Sequence, residues 1–483
     1  MNYRVLLLGL LSTFAFGADK KFVVLITSYN NADWFERNLD SVFNQTYQNF
    51  RVIYIDDCSY DGNGELVEKY IHQHGQEYRT TLIKNPVRRR AMANIYYALQ
   101  LCHDDEIVIN HDGDDWWSDE HVLAMYNEIY QNPNVWITYG QFINWPTNKM
   151  GYCKPLDPQV VEKQLFRKKW WMPGQLRTFY AWLFKQIRLC DLLFTGPGFT
   201  GLFFPANSDL AIYYPMMEMA GLNYYFVEKV IYIRNVQTPL NDFKANKEIQ
   251  VMGSKILREQ KDPYARIEGP RSGWFDRFAT SAADIMIFAH DAVSTQTLLD
   301  SIERLVLGYH TIYIVSAQEL ELKTVLPIKQ MSGASKELVL SILQSAQEHL
   351  LLVDDHMRIT RYVHLNECIQ ALERAFAYGF YLGLGLDATC SRVTGRTQPL
   401  PPLNLIQPEI YAWGHLYADA ADWCCAHSSA LTLYRTADLL AQWSSLPDVT
   451  PSELIAQWQE MPPDKDWIGL CFASKKGQVV LTV

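Results

Sequence analysis

Short runs rich in apolar residues recur along the first half of the sequence, and amphipathic segments of helical length separate them. The runs are Phe22–Ile26, Val52–Ile55, Thr81–Ile83 and Glu106–Ile109. Runs of this length predict buried strands, and the segments between them predict helices. A chain in which strands and helices alternate folds into a mostly parallel sheet with right-handed crossover connections. The pattern therefore predicts an α/β domain.

Polar clusters follow three of these predicted strands. They are Thr27–Asn30, Asp56–Gly62 and His111–Asp115. Ligands of open α/β sheets bind beyond the carboxyl ends of the strands. Because parallel strands end at the same edge, the three clusters predict one shared site.

The same plan restarts in the second half of the chain. Residues 259–280 are charged and rich in Pro and Gly, which is typical of a linker. After them, Ile285–Phe288, Thr311–Val315 and Leu350–Val353 have the strand pattern again. We therefore predict a leader or anchor at 1–17, a first domain at 18–258, a linker at 259–280 and a second α/β domain at 281–483. The alternative is one continuous large sheet.

Composition excludes several classes of protein. The 483 residues include 43 Lys and Arg against 53 Asp and Glu, a net charge of −10. This balance argues against a nucleic-acid partner, because such proteins usually carry a basic stripe. The 9 cysteines include no CxxC pair, so neither a zinc site nor a complete disulfide framework is indicated.

The first 17 residues have the pattern of a secretory signal peptide. Arg4 precedes the apolar run Val5–Phe16, and Ala15 and Gly17 suit a cleavage site. The run is shorter than the roughly 20 residues of a membrane-spanning helix. We expect a protein that is secreted or held at a membrane by its N-terminus, or cytoplasmic if the signal is not used. The alternative is a buried first strand or helix.

The acidic cluster Asp112-Gly113-Asp114-Asp115 follows a predicted strand directly. Carboxylates separated by one residue can bind one hard cation, and Mg²⁺ or Mn²⁺ favours a few carboxylates together with phosphate oxygens. The basic triplet Arg88–Arg90 lies upstream and could balance a diphosphate. Taken alone, an acidic turn after a strand is usually only solvated.

Further segments stand in a fixed order with these clusters. They are Val24–Asn30, Leu39–Val42 with Gln45–Tyr47, Val52–Gly62, Arg90 with Asn94, and Asp112–Asp115. In order and spacing they resemble the glycosyltransferase family 2 domain, which has the GT-A fold. The resemblance continues less sharply to about Asn241. It implies that the first half is a nucleotide-diphospho-sugar transferase-like domain, with the GT-A and Rossmann-like fold. Because the second half repeats the plan of the first, we expect a second, divergent GT-A-like domain in tandem with it.

The resemblance also implies an activity: metal-dependent transfer of a sugar, with inversion, from a nucleotide sugar to a glycan, lipid or protein. A UDP-sugar is the first expectation for the donor, and Mn²⁺ or Mg²⁺ for the metal. Asp112 and Asp114 would bind the metal. The implied donor-binding residues are Thr27, Tyr29, Asp56, Asp57, Lys84, Arg90 and Asp112.

An inverting transfer needs a base that removes the proton of the acceptor hydroxyl. Asp209 is the first candidate, although Ser208 stands where the family commonly has a second acidic residue, and Glu218 is the second. The alternative for Asp209 is a purely structural role as a helix cap. Arg177 and Trp182 are candidates for the acceptor side.

The second half has no such motif. Asp354 and Asp355 follow a predicted strand, but His356 stands after them. This half could be a second transferase domain, a structural partner, or a degenerate domain that shapes the acceptor site, which we favour.

Two other functions compete with glycosyl transfer. The chain could be a non-catalytic carbohydrate- or nucleotide-binding protein that retains the fold. It could also be a nucleotidyltransferase, but Thr27–Asn31 lacks the Gly-rich turn that usually opens such a domain.

Overall fold

The computed structural model describes most of the chain. The described residues are 19–169, 171, 173–238, 247–270, 282–333, 335–359, 363–385, 400–407, 410–415, 418, 426–429, 431–464, 466–472 and 479–481. The predicted leader at 1–17 lies outside them. None of the described helices is long and apolar enough to span a membrane.

The first sheet is built from nine strands of the described residues. They are β1 (Phe22–Ser28), β2 (Phe50–Asp56), β3 (Thr80–Lys84), β4 (Ile107–Asp112), β5 (Trp116–Trp117), β6 (Ile137–Trp145), β7 (Lys149–Met150), β8 (Gly174–Tyr180) and β9 (Tyr224–Asn235). Their order is β3-β2-β1-β4-β8-β6-β9-β5, with β7 paired to β6. The first four are parallel, and β8 is antiparallel to both β4 and β6.

Helices connect and cover these strands. They are α1 (Phe35–Phe43), α2 (Asn63–Gln73), α3 (Arg90–Gln100), α4 (Val122–Ile129), α5 (Pro158–Glu162), α6 (Ala181–Phe184), α7 (Ser208–Ala220) and α8 (Lys247–Glu259). The apolar residues of β1 and β2 are almost completely buried, as the uninterrupted apolar runs predict for a sheet covered on both faces. The predicted α/β architecture of this half is confirmed.

The register of β1 brings the polar clusters together. Thr27 pairs with Asp112 of β4, and Ser28 pairs with Asp56 of β2. All three clusters therefore start at the same carboxyl edge of the sheet.

The second sheet is separate from the first. Its strands are β10 (Ala283–Ala289), β12 (Tyr309–Ser316), β13 (Ile328–Ser332), β14 (His349–Asp354), β17 (Gly379–Gly385), β18 (Asn404–Gln407), β19 (Ile410–Gly414), β20 (Thr432–Arg435) and β21 (Ile468–Phe472). Two small pairs lie outside it, formed by β11 (Val306–Leu307) with β16 (Val363–His364) and by β15 (Met357–Ile359) with β22 (Val479–Leu481). Among the described residues of this half, the helices are α9 (Ala292–Leu305), α10 (Lys336–Ser345), α11 (Leu365–Ala375), α12 (Thr436–Ser445) and α13 (Pro451–Gln459).

The two sheets share one strand order over seven strands. The first runs β3-β2-β1-β4-β8-β6-β9, and the second runs β13-β12-β10-β14-β20-β17-β21. Directions also agree, because β20 is antiparallel to both of its neighbours and β21 is parallel to β17. The molecule therefore consists of two α/β domains in tandem, and the alternative of one continuous sheet is wrong.

The segment that follows α8 packs on the first domain. Tyr264 donates from its hydroxyl to Asp191 Oδ2 at 2.5 Å, and Arg266 donates to the backbone of α5. The described part of the predicted linker, up to residue 270, is thus attached to the first domain.

Candidate functional site

A cavity of about 260 Å³ opens at the carboxyl edge of β1 and β4. Its charged lining residues are Asp57, Arg88, Arg90, Asp112, Asp114, Asp115 and Arg234. Thr27 and Tyr29 line it as well. Residues that lie far apart in the sequence therefore share one cavity with both acidic and basic walls.

A close backbone approach shapes the turn after β4. The backbone N–H of Gly113 donates to the carbonyl oxygen of Thr27 at 3.1 Å. A Cβ atom at position 113 would lie 2.7 Å from Ser28 Cβ, closer than real Cβ contacts allow. Only glycine fits between the two acidic residues without moving β1.

Asn38 of α1 holds the same turn from the other side. Its amide nitrogen donates to the carbonyl oxygens of Asp112 and Asp115, at 2.9 and 2.8 Å. Asn38 is completely buried, so these bonds are shielded from water. Sequence reasoning missed this residue, since its only signal is a polar residue on the apolar face of a predicted helix.

Asp115 has a structural role beside the cavity. Its carboxylate accepts from the Tyr232 hydroxyl at 2.7 Å and from the Asn235 backbone N–H at 2.6 Å. These bonds tie the acidic turn to β9, which is 120 residues further along the chain. Burial is the main reason that the pKa of Asp115 lies well above its ordinary value.

Asp112 and Asp114 are the residues that could hold a cation. Asp112 Oδ2 accepts from Gln175 Nε2 at 3.0 Å. Burial, with the charge of Asp112 as a lesser cause, raises the pKa of Asp114 to about 6. Carboxylate oxygens are ligands that Mg²⁺ and Mn²⁺ prefer, and a bound cation would favour the ionised form of Asp114. The residues present therefore fit a divalent cation.

Of the two acidic residues at the end of β2, Asp56 and Asp57, only Asp57 lines the cavity. Asp57 accepts from the backbone N–H groups of Arg89 and Arg90, both at 2.8 Å. Asp56 turns away and accepts from Asn63 Nδ2 at 2.7 Å and from the Ser59 N–H at 3.1 Å. Asp56, predicted to bind the donor, therefore does not line this cavity, because its carboxylate closes the loop after β2.

Arginines supply the basic wall. The Arg88 guanidinium lies 3.7 Å from the centre of the Tyr29 ring, and the Arg90 guanidinium lies 4.8 Å from the Phe199 ring. Arg234 of β9 completes the set. Sequence reasoning missed Arg234, because it lies on a strand with no recognised motif.

A second cavity of about 190 Å³ adjoins the first and shares Thr27, Asp112 and Arg234 with it. Arg177 and Asp209 line this second cavity. Asp209 lies in the first turn of α7, and its carboxylate is 3.1 Å from Arg177 Nη2. With a side chain 32% exposed, Asp209 can be reached from solvent.

Two further predicted site residues lie elsewhere. Lys84 points to α2, where its Nζ is 2.8 Å from Glu68. Trp182 packs against Trp136 at the amino edge of β4, because β8 runs antiparallel to β4 and Trp182 lies two residues beyond the last residue of β8. Neither Lys84 nor Trp182 lines either cavity.

Glu218 is also placed away from both cavities. Its side chain is fully buried, and its carboxylate pairs with Arg167 at 2.6 Å. Glu218 stabilises the packing of α7 and is not available as a base. The second-domain candidates, Asp354 and Asp355, lie together at the carboxyl edge of β14.

Residues 23–186 match the family model of glycosyl transferase family 2. The N-terminal half of the chain carries a glycosyltransferase family 2 domain. Both cavities lie in this family 2 domain, and β9 and α7 extend their walls beyond the matched residues.

One curated relative is the glycosyltransferase GlyA of Streptococcus pneumoniae serotype 4. It is 24% identical over 119 residues, which are 23% of this chain and 16% of GlyA. The chain thus matches only a small part of that relative's length.

Solved structures show a fainter likeness. TarS 1–349 of S. aureus in complex with UDP-GlcNAc is 17% identical, with 45% of this chain and 59% of that chain covered and a TM-score of 0.34. The mannosyltransferase PcManGT of Pyrobaculum calidifontis, in complex with GDP-Man and Mn²⁺, is 20% identical, with 51% and 68% covered and a TM-score of 0.34. Because these scores are low, the fold assignment rests on the family match and on the strand order.

Proposed function

We propose that the family 2 domain is an inverting, metal-dependent glycosyltransferase that uses a nucleotide sugar as donor. The observation that supports this most is the shared cavity, where Asp57, Arg90, Asp112 and Asp114 come from three separate segments of the chain. Acidic residues for a cation and basic residues for phosphates are both needed to hold a nucleoside diphosphate.

Asp112 and Asp114 would hold the cation, which when bound neutralises charge on the departing diphosphate. Arg88, Arg90 and Arg234 lie on the wall of the same cavity and add positive charge where the leaving group develops negative charge. Tyr29, already stacked under Arg88, offers an aromatic face to the base of the nucleotide.

The second cavity is the proposed acceptor side. Asp209 would take the proton of the acceptor hydroxyl while the acceptor oxygen bonds to the anomeric carbon. The bond from that carbon to the phosphate oxygen breaks, and the diphosphate leaves with the electron pair. Arg177 balances the charge of Asp209 and orients its carboxylate.

Release of nucleoside diphosphate from UDP- and GDP-sugars, measured with purified chain and Mn²⁺, tests this function. We expect turnover in the wild type and a loss of at least about 100-fold in Asp114→Asn, since electrostatic stabilisation of this kind is worth about that much. Asp105→Asn is the matched control, because Asp105 is 65% exposed and pairs with Lys21 outside the cavity.

Two results would contradict the proposal. Nucleotide binding without any turnover would favour the non-catalytic alternative. Equal turnover in Asp114→Asn and the wild type would show that the acidic turn is only structural.

We also propose that the first 17 residues direct export or hold the chain at a membrane, because their charge and apolar pattern is that of a signal. N-terminal sequencing of the protein made with its natural leader tests this. A mature chain beginning near residue 18 supports secretion, whereas an intact Met1 on a soluble cytoplasmic protein contradicts the proposal.

A further inference from the structure

Four metal-ligating residues meet in the second domain, far from the family 2 cavity in sequence. They are His290, Asp354, Asp355 and His356. One ligand atom from each lies within 4.8 Å of the other three. Two imidazoles and two carboxylates form a mixed nitrogen and oxygen donor set, which transition metals accept.

The position of this cluster corresponds to that of the acidic turn in the first domain. In the first sheet Thr27 of β1 pairs with Asp112, and in the second Phe288 of β10 pairs with Asp354. Because the strand orders agree, Asp354 occupies the position of Asp112. His356 follows Asp354 by two residues and therefore occupies the position of Asp114. The residue type has changed, but the place in the fold has not.

The cluster also opens to a cavity. His290 and Asp354 line a cavity of about 650 Å³ between the carboxyl edge of the second sheet and α13. The side chains of His290 and His356 are both 54% exposed, so a cation could reach them.

Among the four residues, Asp355 is buried and is held in place by hydrogen bonds. Its side chain is fully buried, and Oδ2 accepts from the His290 backbone N–H at 2.6 Å and from the Thr295 hydroxyl at 3.1 Å. Its other oxygen, Oδ1, lies 2.8 Å from His290 Nδ1 and 3.7 Å from His356 Nδ1.

The two imidazoles are arranged around that oxygen. Their rings stack with centroids 4.9 Å apart and an angle of 17° between planes. Ligand atoms bonded to one metal at about 2.0–2.2 Å lie about 3 Å from one another.

We propose that His290, Asp354, Asp355 and His356 bind a divalent transition metal in the second domain. This site goes beyond the function proposed for the first domain, because it adds a metal of different ligand chemistry to a domain that lacks the family 2 motifs. The first-domain site offers only carboxylates to its cation, whereas this one offers imidazole nitrogen.

That difference provides the test. Proton NMR of the full chain with saturating Co²⁺ shows hyperfine-shifted, exchangeable imidazole N–H signals only when His side chains ligate the metal. We expect two such signals in the wild type. His290→Gln and His356→Gln should each remove one signal, and Asp114→Asn should keep both.

Absence of these signals at saturating Co²⁺ would overturn the proposal, and so would signals that survive in both His variants. The wild-type spectrum alone can refute the proposal, so its refutation does not depend on the variants folding, and the His variants assign the signals to their residues. Because Asp114→Asn reports separately on the first domain, failure of the proposed transferase activity would not affect this result.

Discussion

At the scale of single residues, the adjacent residues Asp114 and Asp115 of the acidic turn have different roles. Asp114 faces the cavity, and burial raises its pKa to about 6. Asp115 is bonded to Tyr232 and Asn235 and holds the turn in place. The sequence shows two adjacent carboxylates, and the partners of Asp115 on β9 separate their roles. Those partners could not be predicted, because β9 begins more than 100 residues later.

Asp209→Asn tests the proposed base. We expect the transfer rate to fall by about 10²–10⁴, the usual contribution of general base catalysis, while affinity for the nucleoside diphosphate stays unchanged. Transfer kinetics and calorimetric titration with UDP and GDP measure the two quantities. An unchanged transfer rate would make Asp209 a helix residue that only pairs with Arg177.

We expect His427 to make the stability of the second domain depend on pH. It is 2% exposed, packs against Trp458 and Trp467, and burial lowers its pKa to about 4. The unfolded chain binds the proton near pH 6.5, so the stabilising contribution of the neutral ring is complete above pH 6.5 and is lost progressively as the pH falls towards 4.

Thermal unfolding at pH 7 and pH 5 checks this expectation. His427→Leu should show a smaller drop in the melting temperature between the two pH values than the wild type. The exposed His121 offers a control, because His121→Leu should keep the full drop. Equal drops in the wild type and His427→Leu would contradict the prediction.

At the scale of elements, the sequence predicted the parallel strands of the first sheet but not the antiparallel strand β8. The apolar runs predicted β1 to β4. The polar clusters that follow β1, β2 and β4 predicted one shared site at the carboxyl edge of the sheet. The antiparallel direction of β8 carries no signal in its composition, yet it places Arg177 opposite Asn110 near the cavity and sends Trp182 to the far edge. Sequence spacing could nevertheless have excluded Glu218. It stands nine residues after Asp209, which is about two and a half turns of an α-helix and therefore the opposite face.

Gly113→Ala tests the close approach of β4 to β1. The added methyl group would meet Ser28 Cβ at 2.7 Å, so the acidic turn must move. We expect a loss of about 1–3 kcal/mol in the free energy of unfolding, typical of overpacking, together with a loss of turnover. Denaturant unfolding and the turnover assay measure both.

Gly269→Ala is the matched control, because nothing lies within 4 Å of the added atom. It should leave stability and turnover unchanged. A Gly113→Ala protein with wild-type activity would contradict the role given to the turn.

At the scale of the whole molecule, the second domain contacts a loop of the first domain. The Asn404 side chain accepts from the Phe203 N–H at 3.0 Å and donates to the Gly201 carbonyl oxygen at 2.9 Å. The same loop carries Phe199, whose ring lies under Arg90 of the 260 Å³ cavity. The repeat of strand order was predictable from the repeated apolar runs, but this contact was not, since it depends on how two finished domains pack.

Asn404→Ala removes both bonds from a residue that is 4% exposed. We expect a loss of about 1–3 kcal/mol in the free energy of unfolding, because two backbone groups lose their buried partner. Affinity for the donor should fall severalfold as the loop beside Arg90 loosens. Unfolding and nucleotide titration are the measurements, and unchanged values in both would show that the contact does not influence the site.

Calorimetric titration of the purified chain with UDP and GDP, with and without Mn²⁺, tests the central claim most directly. The claim is that the loops after β1, β2 and β4 hold a cation and a diphosphate in one cavity. We predict binding of at least one nucleotide that strengthens with Mn²⁺ and is weakened in both Asp114→Asn and Arg90→Ala. An affinity for the nucleotide that changes neither with Mn²⁺ nor in the two variants, or no binding of either nucleotide, would contradict the claim.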